Sequence, residues 1–176
     1  SLHAKIILLE GEAHAGYHAS GRSAAVFVPS YGHGLLRELT ELSRPSFENS
    51  DDQFFHTPLL SQRGILRLVL AGGEQQHSQT IEGIKGIDLI SIEEAIKHFP
   101  LMRSDKMVSA SYEHDVHDID TDALLQGSIR KAKHLGAEIY TSSQVLNMTH
   151  KSGLWTVETD NGVFQATTVI NAGGAW

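Results

Sequence analysis

Six residues near the start of the chain constrain its fold more than any others. Lys5-Ile-Ile-Leu-Leu-Glu10 holds four consecutive aliphatics, Ile6 to Leu9, closed by an acid. A strand with one wet face alternates apolar and polar residues. An unbroken aliphatic run instead reads as a strand covered on both faces, as in parallel sheets flanked by helices, and its expected place is central. Gly11 to Gly21 is rich in Gly, Ala, His and Ser and has no period. It reads as a loop leading to a helix start near Ser20 to Ser23.

Composition narrows the function classes. With 176 residues, 40% of them hydrophobic and 20% charged, the chain can bury a core and suits one domain, or one and a fraction. Twenty-one acids against fourteen bases give a formal charge of −7. The bases are scattered, so no basic stripe exists to grip nucleic-acid phosphates. Zero cysteines exclude disulfides, thiolate nucleophiles, zinc fingers and cysteine-ligated iron–sulfur clusters. No apolar run approaches the roughly 18 to 20 residues of a transmembrane segment, and the opening lacks the layout of a secretory signal. A soluble, cytoplasmic protein is expected, in which the sequon at Asn147 to Thr149 has no bearing. Both ends read as cut: the chain opens almost directly on a buried-strand pattern and closes on a strand with a glycine turn.

Between the ends, several elements are predicted. Leu35, Leu36, Leu39, Leu42 and Phe47 fall near helical spacing, with Pro45 expected to end or kink the helix. Gly64 to Leu70 alternates as a half-buried strand stopped by Gly72-Gly73. Ser91-Ile-Glu-Glu94 is a capping box opening a short helix to Phe99, ended by Pro100. Met107 to Tyr112 reads as a strand. Asp120 to Leu135 describes an amphipathic helix with an acidic start and a stop at Gly136. Then come strands at Ala137 to Tyr140, Gln144 to Thr149, Leu154 to Thr159 and Val163 to Thr168, with Asp160-Asn-Gly162 as a hairpin turn. Thr167 to Asn171 resumes an apolar strand that stops at Gly173-Gly174.

Four motifs carry candidate chemistry. In a dinucleotide-binding βαβ unit, an acid ending the second strand accepts hydrogen bonds from a ribose about 20 residues after a G-x-G-x-x-G turn. Glu10 fits the acid, and the turn would lie before residue 1; from this feature alone a solvated strand-end Glu is the favoured reading. Ser20-Gly-Arg-Ser-Ala-Ala25 offers small residues and free N–H groups that can receive an anion or flavin carbonyls, with Arg22 adding positive charge. The alternative is a tight loop with a cap. His114-Asp-Val-His-Asp118 with Asp120 and Asp122 suggests a metal site, but lacks i, i+4 His pairing, and its acids suit a helix start, so no metal is expected. Val169-Ile-Asn-Ala-Gly-Gly-Ala-Trp176 is an apolar strand whose glycines permit close approach of a ligand, or simply a strand and its turn. No H-E-x-x-H, G-x-S-x-G or P-loop occurs.

Taken in order, the strand ending in Glu10, Gly16-Tyr-His-Ala-Ser-Gly-Arg-Ser-Ala-Ala25, Asp118-Ile-Asp120 with its helix and Gly136-Ala-Glu138, and the Val169 to Trp176 segment resemble the FAD-dependent oxidoreductases of the D-amino acid oxidase type. The likeness is greatest to the branch of D-amino acid dehydrogenase, glycine oxidase and sarcosine oxidase. It is strongest over residues 5 to 32 and 114 to 176. The resemblance implies an α/β fold: a partial Rossmann-like FAD-binding domain (1–45 and 113–176) with a three-stranded antiparallel insertion, and the first part of an α+β substrate domain (46–112).

It implies that Glu10 binds the ribose of the adenosine, and that Ser20, Gly21, Arg22, Ser23, Ala24 and Ala25 run past the pyrophosphate and flavin. It further implies that the backbone of Val145 holds the adenine edge, and that Ala172 and Gly173 close over the cofactor. The substrate would be a small amine or amino acid, oxidised by hydride transfer to the flavin. The family's G-x-G-x-x-G and second half are missing, so no catalytic residue is assigned; His18 and Arg22 are the nearest candidates. Weak or no FAD binding by the chain alone is expected, with Ile6 to Leu9 half exposed and covered by self-association or by another chain. A non-catalytic interaction module and a same-fold enzyme acting on a hydroxy acid or glycerol phosphate are the competing readings.

Overall fold

The computed structural model describes residues 4–174. In chain order the elements are β1 (Ile7–Leu9), β2 (Val26–Phe27), α1 (Gly34–Glu48), β3 (Leu60–Gln62), β4 (Ile65–Leu70), α2 (Glu74–Ile81), β5 (Ile87–Ile90), α3 (Ile92–His98), β6 (Met107–Glu113), β7 (His117–Ile119), α4 (Thr121–His134), β8 (Glu138–Tyr140), β9 (Val145–Lys151), β10 (Leu154–Thr159) and β11 (Gly162–Ala166). The chain forms two compact units, one of Ser1–Ser23 with Leu125–Trp176 and one of Ala24–Leu124.

In the first unit β1 pairs in parallel with β8, Ile7 against Glu138 and Leu9 against Tyr140. α4 delivers the chain to β8 and stops where the sequence predicts: Gly136 takes φ +92°, and the N–H of Ala137 donates to Ala132 O at 2.9 Å, the glycine-terminated helix end that a Cβ would strain. β9, β10 and β11 form an antiparallel meander with β10 central. Both of its turns are two-residue loops: Ser152-Gly153, each with positive φ, joins the Lys151–Leu154 pair, and Asp160-Asn161 joins Thr159 to Gly162. The two positive φ values of Ser152-Gly153 match the right-handed twist of the flanking strands.

The second unit holds two three-stranded antiparallel sheets, β2-β7-β3 and β4-β6-β5. Its core contains Phe27, Leu59, Val116, Val69, Ala95 and Ala110. Ala95 of α3 and Ala110 of β6 are both fully buried, where α3 packs on β6. Ser91 caps α3 as predicted, its Oγ accepting the Glu94 N–H at 3.2 Å.

Several expectations are corrected. No helix starts at Ser20 to Ser23; residues 11–22 form successive bends and turns, closed by Gly21 N–H to Gly16 O at 2.7 Å, and the chain then enters β2. The local bonds of small and Gly residues compete with a helix start. Thr167 to Asn171 is not a strand: it finds no ladder partner among the described residues, and Ile170 is 86% exposed. Ala175 and Trp176, the end of that motif, lie outside the described residues. α1 runs three residues past Pro45, and Arg44 bonds Glu41 before the proline and Glu48 after it. β1 is not central, since β8 is its one partner among the described residues. Ile6, Ile7 and Leu8 are exposed and Leu9 is half-buried.

Candidate functional site

Of the predicted site residues of the first unit, Glu10 stands where β1 ends. Glu10 continues the β1–β8 ladder, its N–H donating to Tyr140 O at 2.8 Å while its carbonyl accepts the Ser143 N–H at 2.8 Å. Those two bonds fix its backbone and leave the half-buried side chain at the mouth of the following loop. There Oε1 accepts the Glu12 N–H at 3.0 Å. A carboxylate has acceptor capacity for several donors, and among the described residues Oε2 accepts none. That is the state required of an acid that must receive hydroxyl donors.

The loop after Glu10 is tied on both sides. Glu12 O accepts the Ser142 N–H at 2.8 Å, and Glu12 Oε1 lies 2.8 Å from His18 Nε2. Gly16 sits at φ +82°, where a Cβ would stand 2.4 Å from Leu125 Cδ2. A Cβ on Gly21 would stand 2.7 Å from Gly16 O. Both positions therefore demand glycine. Ser20, Gly21, Arg22, Ser23 and Ala24 are all exposed, and the Arg22 guanidinium lies 5.3 Å from the centre of the Tyr17 ring, a cation–π contact that restrains it. Ala25, at φ +54°, opens the second unit, where its carbonyl accepts the Ile119 N–H at 2.7 Å.

Val145 begins β9, the edge strand of its sheet, beside a bulge at Glu158/Thr159. Gln144, its neighbour, lies 3.7 Å by its Cα from the Cβ position of Gly11. The structure thus brings Glu10, Gly11 and the start of β9 side by side. An edge strand presents unpaired backbone donors and acceptors, which is what a base edge requires. Ala172 and Gly173 lie on exposed chain, turned by the Gly173 N–H bonding Asn171 Oδ1 at 3.0 Å. On the same unit, Lys5 Nζ lies 2.9 Å from Glu138, whose other oxygen accepts the Tyr140 hydroxyl at 2.7 Å. These hydrogen bonds and the Lys5 charge hold Glu138 below the usual carboxylate range, and the same bonds to Glu138 raise Lys5 and Tyr140.

The His/Asp cluster is dispersed. Asp115 pairs with Arg44 at 2.7 Å, Asp118 with Arg63 at 2.8 Å, and Asp120 Oδ1 accepts the Ala123 N–H at 2.8 Å to cap α4. Among the described residues no group of three or more His, Cys, Asp or Glu could hold a metal ion. A groove of about 620 Å³ in the second unit is lined by Phe47, Asp52, Phe55, His56, Pro58 and His117 among others, none of them a predicted cofactor residue. The sequence reading missed this groove and the role of Glu12. An acid two residues past a strand-end acid and six before a histidine follows no secondary-structure period, so only the closed loop reveals the pair.

The residues present suit FAD: an acid with an open acceptor, a strand edge for a base, and a loop where side chains are excluded at two glycines. A family profile described as "DAO: FAD dependent oxidoreductase" matches residues 1–176. Human mitochondrial dimethylglycine dehydrogenase is 27% identical over 180 residues, 97% of this chain and 20% of that protein. Glycine oxidase of Bacillus licheniformis is 23% identical over 113 residues, 64% of this chain and 30% of that one. The crystal structure of glycine oxidase from Geobacillus kaustophilus superposes with a TM-score of 0.82 at 21% identity, over 98% of this chain and 49% of that one. The chain therefore spans between a fifth and half of these proteins. No helix among the described residues is long and apolar enough to cross a membrane.

Proposed function

We propose, from the premise that this chain belongs to the DAO family of FAD-dependent oxidoreductases, that it is the part of an amine- or amino-acid-oxidising flavoenzyme that grips the adenosine half of FAD. The observation that carries this reading is the half-buried Glu10 carboxylate at the carboxyl end of a parallel strand, with one oxygen held by the Glu12 N–H and the other open. A ribose diol donates two hydroxyls, and such a carboxylate accepts them.

Each remaining residue then has a task. Val145, on the strand edge beside Glu10, meets the adenine through its backbone. Ser20 to Ala25 run past the pyrophosphate and give the flavin a low wall of small side chains, with the N–H groups of Gly21, Arg22 and Ser23 engaged within the turn, and Arg22 supplies positive charge. Ala172 and Gly173 close over the cofactor with the smallest side chains. When bound, FAD would supply the acceptor for the two electrons of the oxidation, taken as a hydride from the carbon bearing the amine. Residues 1–45 and 113–176 belong to the cofactor domain in this reading, and 46–112 open the substrate domain. A small amine or amino acid is the substrate class, as the names of the relatives suggest.

The test is a flavin-fluorescence titration of the purified chain with FAD, with ADP and FMN as competitors. FAD should bind more weakly than low micromolar, ADP should compete and FMN should not, and Glu10→Gln should weaken FAD about tenfold, the worth of hydrogen bonds to a charged acceptor. Competition by FMN instead of ADP, or an unchanged Glu10→Gln variant, would overturn the assignment. Saturation at low micromolar would refute the expectation that further FAD contacts are needed.

A further inference from the structure

Glu12 makes three bonds that a surface loop residue does not need. Its N–H donates to Glu10 Oε1 at 3.0 Å, its carbonyl accepts the Ser142 N–H at 2.8 Å, and its Oε1 meets His18 Nε2 at 2.8 Å. His18 in turn reaches the other end of the loop, its carbonyl accepting the Arg22 N–H at 3.1 Å. One histidine thus joins the acid end of the segment to its Ser20–Ser23 end. The loop can fold back this far because Gly16 adopts φ +82°.

The pair is not there mainly for stability. Its side chains are 32% and 43% exposed, and solvent-screened pairs of that kind contribute little. What it settles is geometry. Glu12 N–H reaches Glu10 Oε1 only while the backbone at residues 11–12 keeps its course, and that course is pinned from one side by Ser142 and from the other by His18. With the N–H in place, Glu10 Oε1 is engaged and Oε2 is the oxygen left to a ligand.

We propose that Glu12 and His18 are positioning residues for Glu10: the side-chain pair holds the Glu12 N–H on one oxygen of the Glu10 carboxylate, so that the other is presented in a single orientation to a ribose diol. This rests on the reading of Glu10 as the ribose-binding acid.

A double-mutant cycle tests the coupling. FAD affinity is measured for the wild-type chain and for His18→Leu, His18→Gln, Glu10→Gln and the His18→Leu/Glu10→Gln double variant. His18→Leu should weaken FAD about two- to fivefold when Glu10 is present, the scale of a partly exposed pair, and change it hardly at all when Glu10 is already Gln. His18→Gln, which keeps an N–H donor, should recover most of the loss. Equal losses in both backgrounds would show that His18 does not act through Glu10 and would overturn the proposal.

A second readout does not depend on cofactor. In the ligand-free chain, the backbone amide of Glu12 should exchange with solvent at least several-fold faster in His18→Leu than in wild type, with His18→Gln close to wild type. An unchanged Glu12 amide would overturn the proposal whether or not FAD binds. A protected, His18-dependent amide in a chain whose FAD affinity Glu10→Gln leaves unchanged would support the positioning pair and reject the cofactor reading on which its use depends.

Discussion

Glu113 is only 2% exposed, yet three donors surround it: the Ser30 N–H at 3.2 Å, the Ser30 hydroxyl at 2.7 Å and Arg67 Nη2 at 2.6 Å. A buried carboxylate is tolerated only when so satisfied. The reverse also holds, because Arg67 would lose its counter-charge if Glu113 were removed. Breaking one half of a fully buried pair costs about 3 to 5 kcal/mol. Arg67 is 25% exposed, so water offsets part of that, and Glu113→Ala should cost about 2 to 3 kcal/mol. The measurement is the urea midpoint at unchanged m-value; a loss below about 0.5 kcal/mol would mean that the pair contributes no net stability. Nothing in the local sequence marks Glu113, which follows an ordinary strand pattern. Its partners are 83 and 46 residues away.

At the scale of elements, α1 shows how little of a helix's role its own pattern reveals. Leu35, Leu36, Leu39 and Leu42 fall at helical spacing, which correctly marks a helix. All four are nonetheless exposed. The described attachment comes from the C-terminal half, where Phe47 meets Phe27 at 5.7 Å between ring centres. Arg44 lies 4.8 Å over the Phe27 ring and bonds Asp115 at 2.7 Å. The hydrogen bond from Arg44 holds the Glu41 carboxyl below the usual carboxylate range, and its positive charge adds to that. A carboxyl whose folded pKa is depressed contributes stability that is fully present above its unfolded pKa, about 4.3 for Glu, and is lost as pH falls through the folded value. Stability should therefore decline on acidification below about pH 5, and Arg44→Met should flatten the part of that decline due to Glu41. Parallel acid titrations in wild type and variant would count against the network.

Across the whole molecule, the exposed aliphatics of β1 are the feature with the clearest consequence. Ile6 at 58%, Ile7 at 36% and Leu8 at 46% exposure lie on a strand whose described partner is β8 alone. An apolar strand with an open edge invites pairing with another chain. The purified chain should self-associate with rising concentration, and Ile7→Lys, which places a charge on that edge, should shift it toward monomer in sedimentation velocity. A wild-type chain that stays monomeric at high concentration would show that the edge is covered some other way.

The sequence by itself determined the elements whose signals are local. Gly136 stops α4 because a positive φ suits glycine, Ser91 starts α3 because a hydroxyl can accept the Glu94 N–H, and the β10–β11 turn follows from Asp160-Asn-Gly162. It also carried the order of motifs that marks the family, and so the candidate residues from Glu10 to Gly173. What pattern reading could not supply were short strands such as β2 and β7, two and three residues long, since a period needs more positions than that to show. Nor could it supply the Glu12–His18 pair or the Ser30–Arg67–Glu113 cluster. Those depend on loop closure and on contacts between distant parts of the chain, whose geometry exists only after the backbone has folded. Tertiary structure alone decided which acid accepts which donor, because hydrogen bonding depends on distance and direction in space, and neither is a property of sequence spacing.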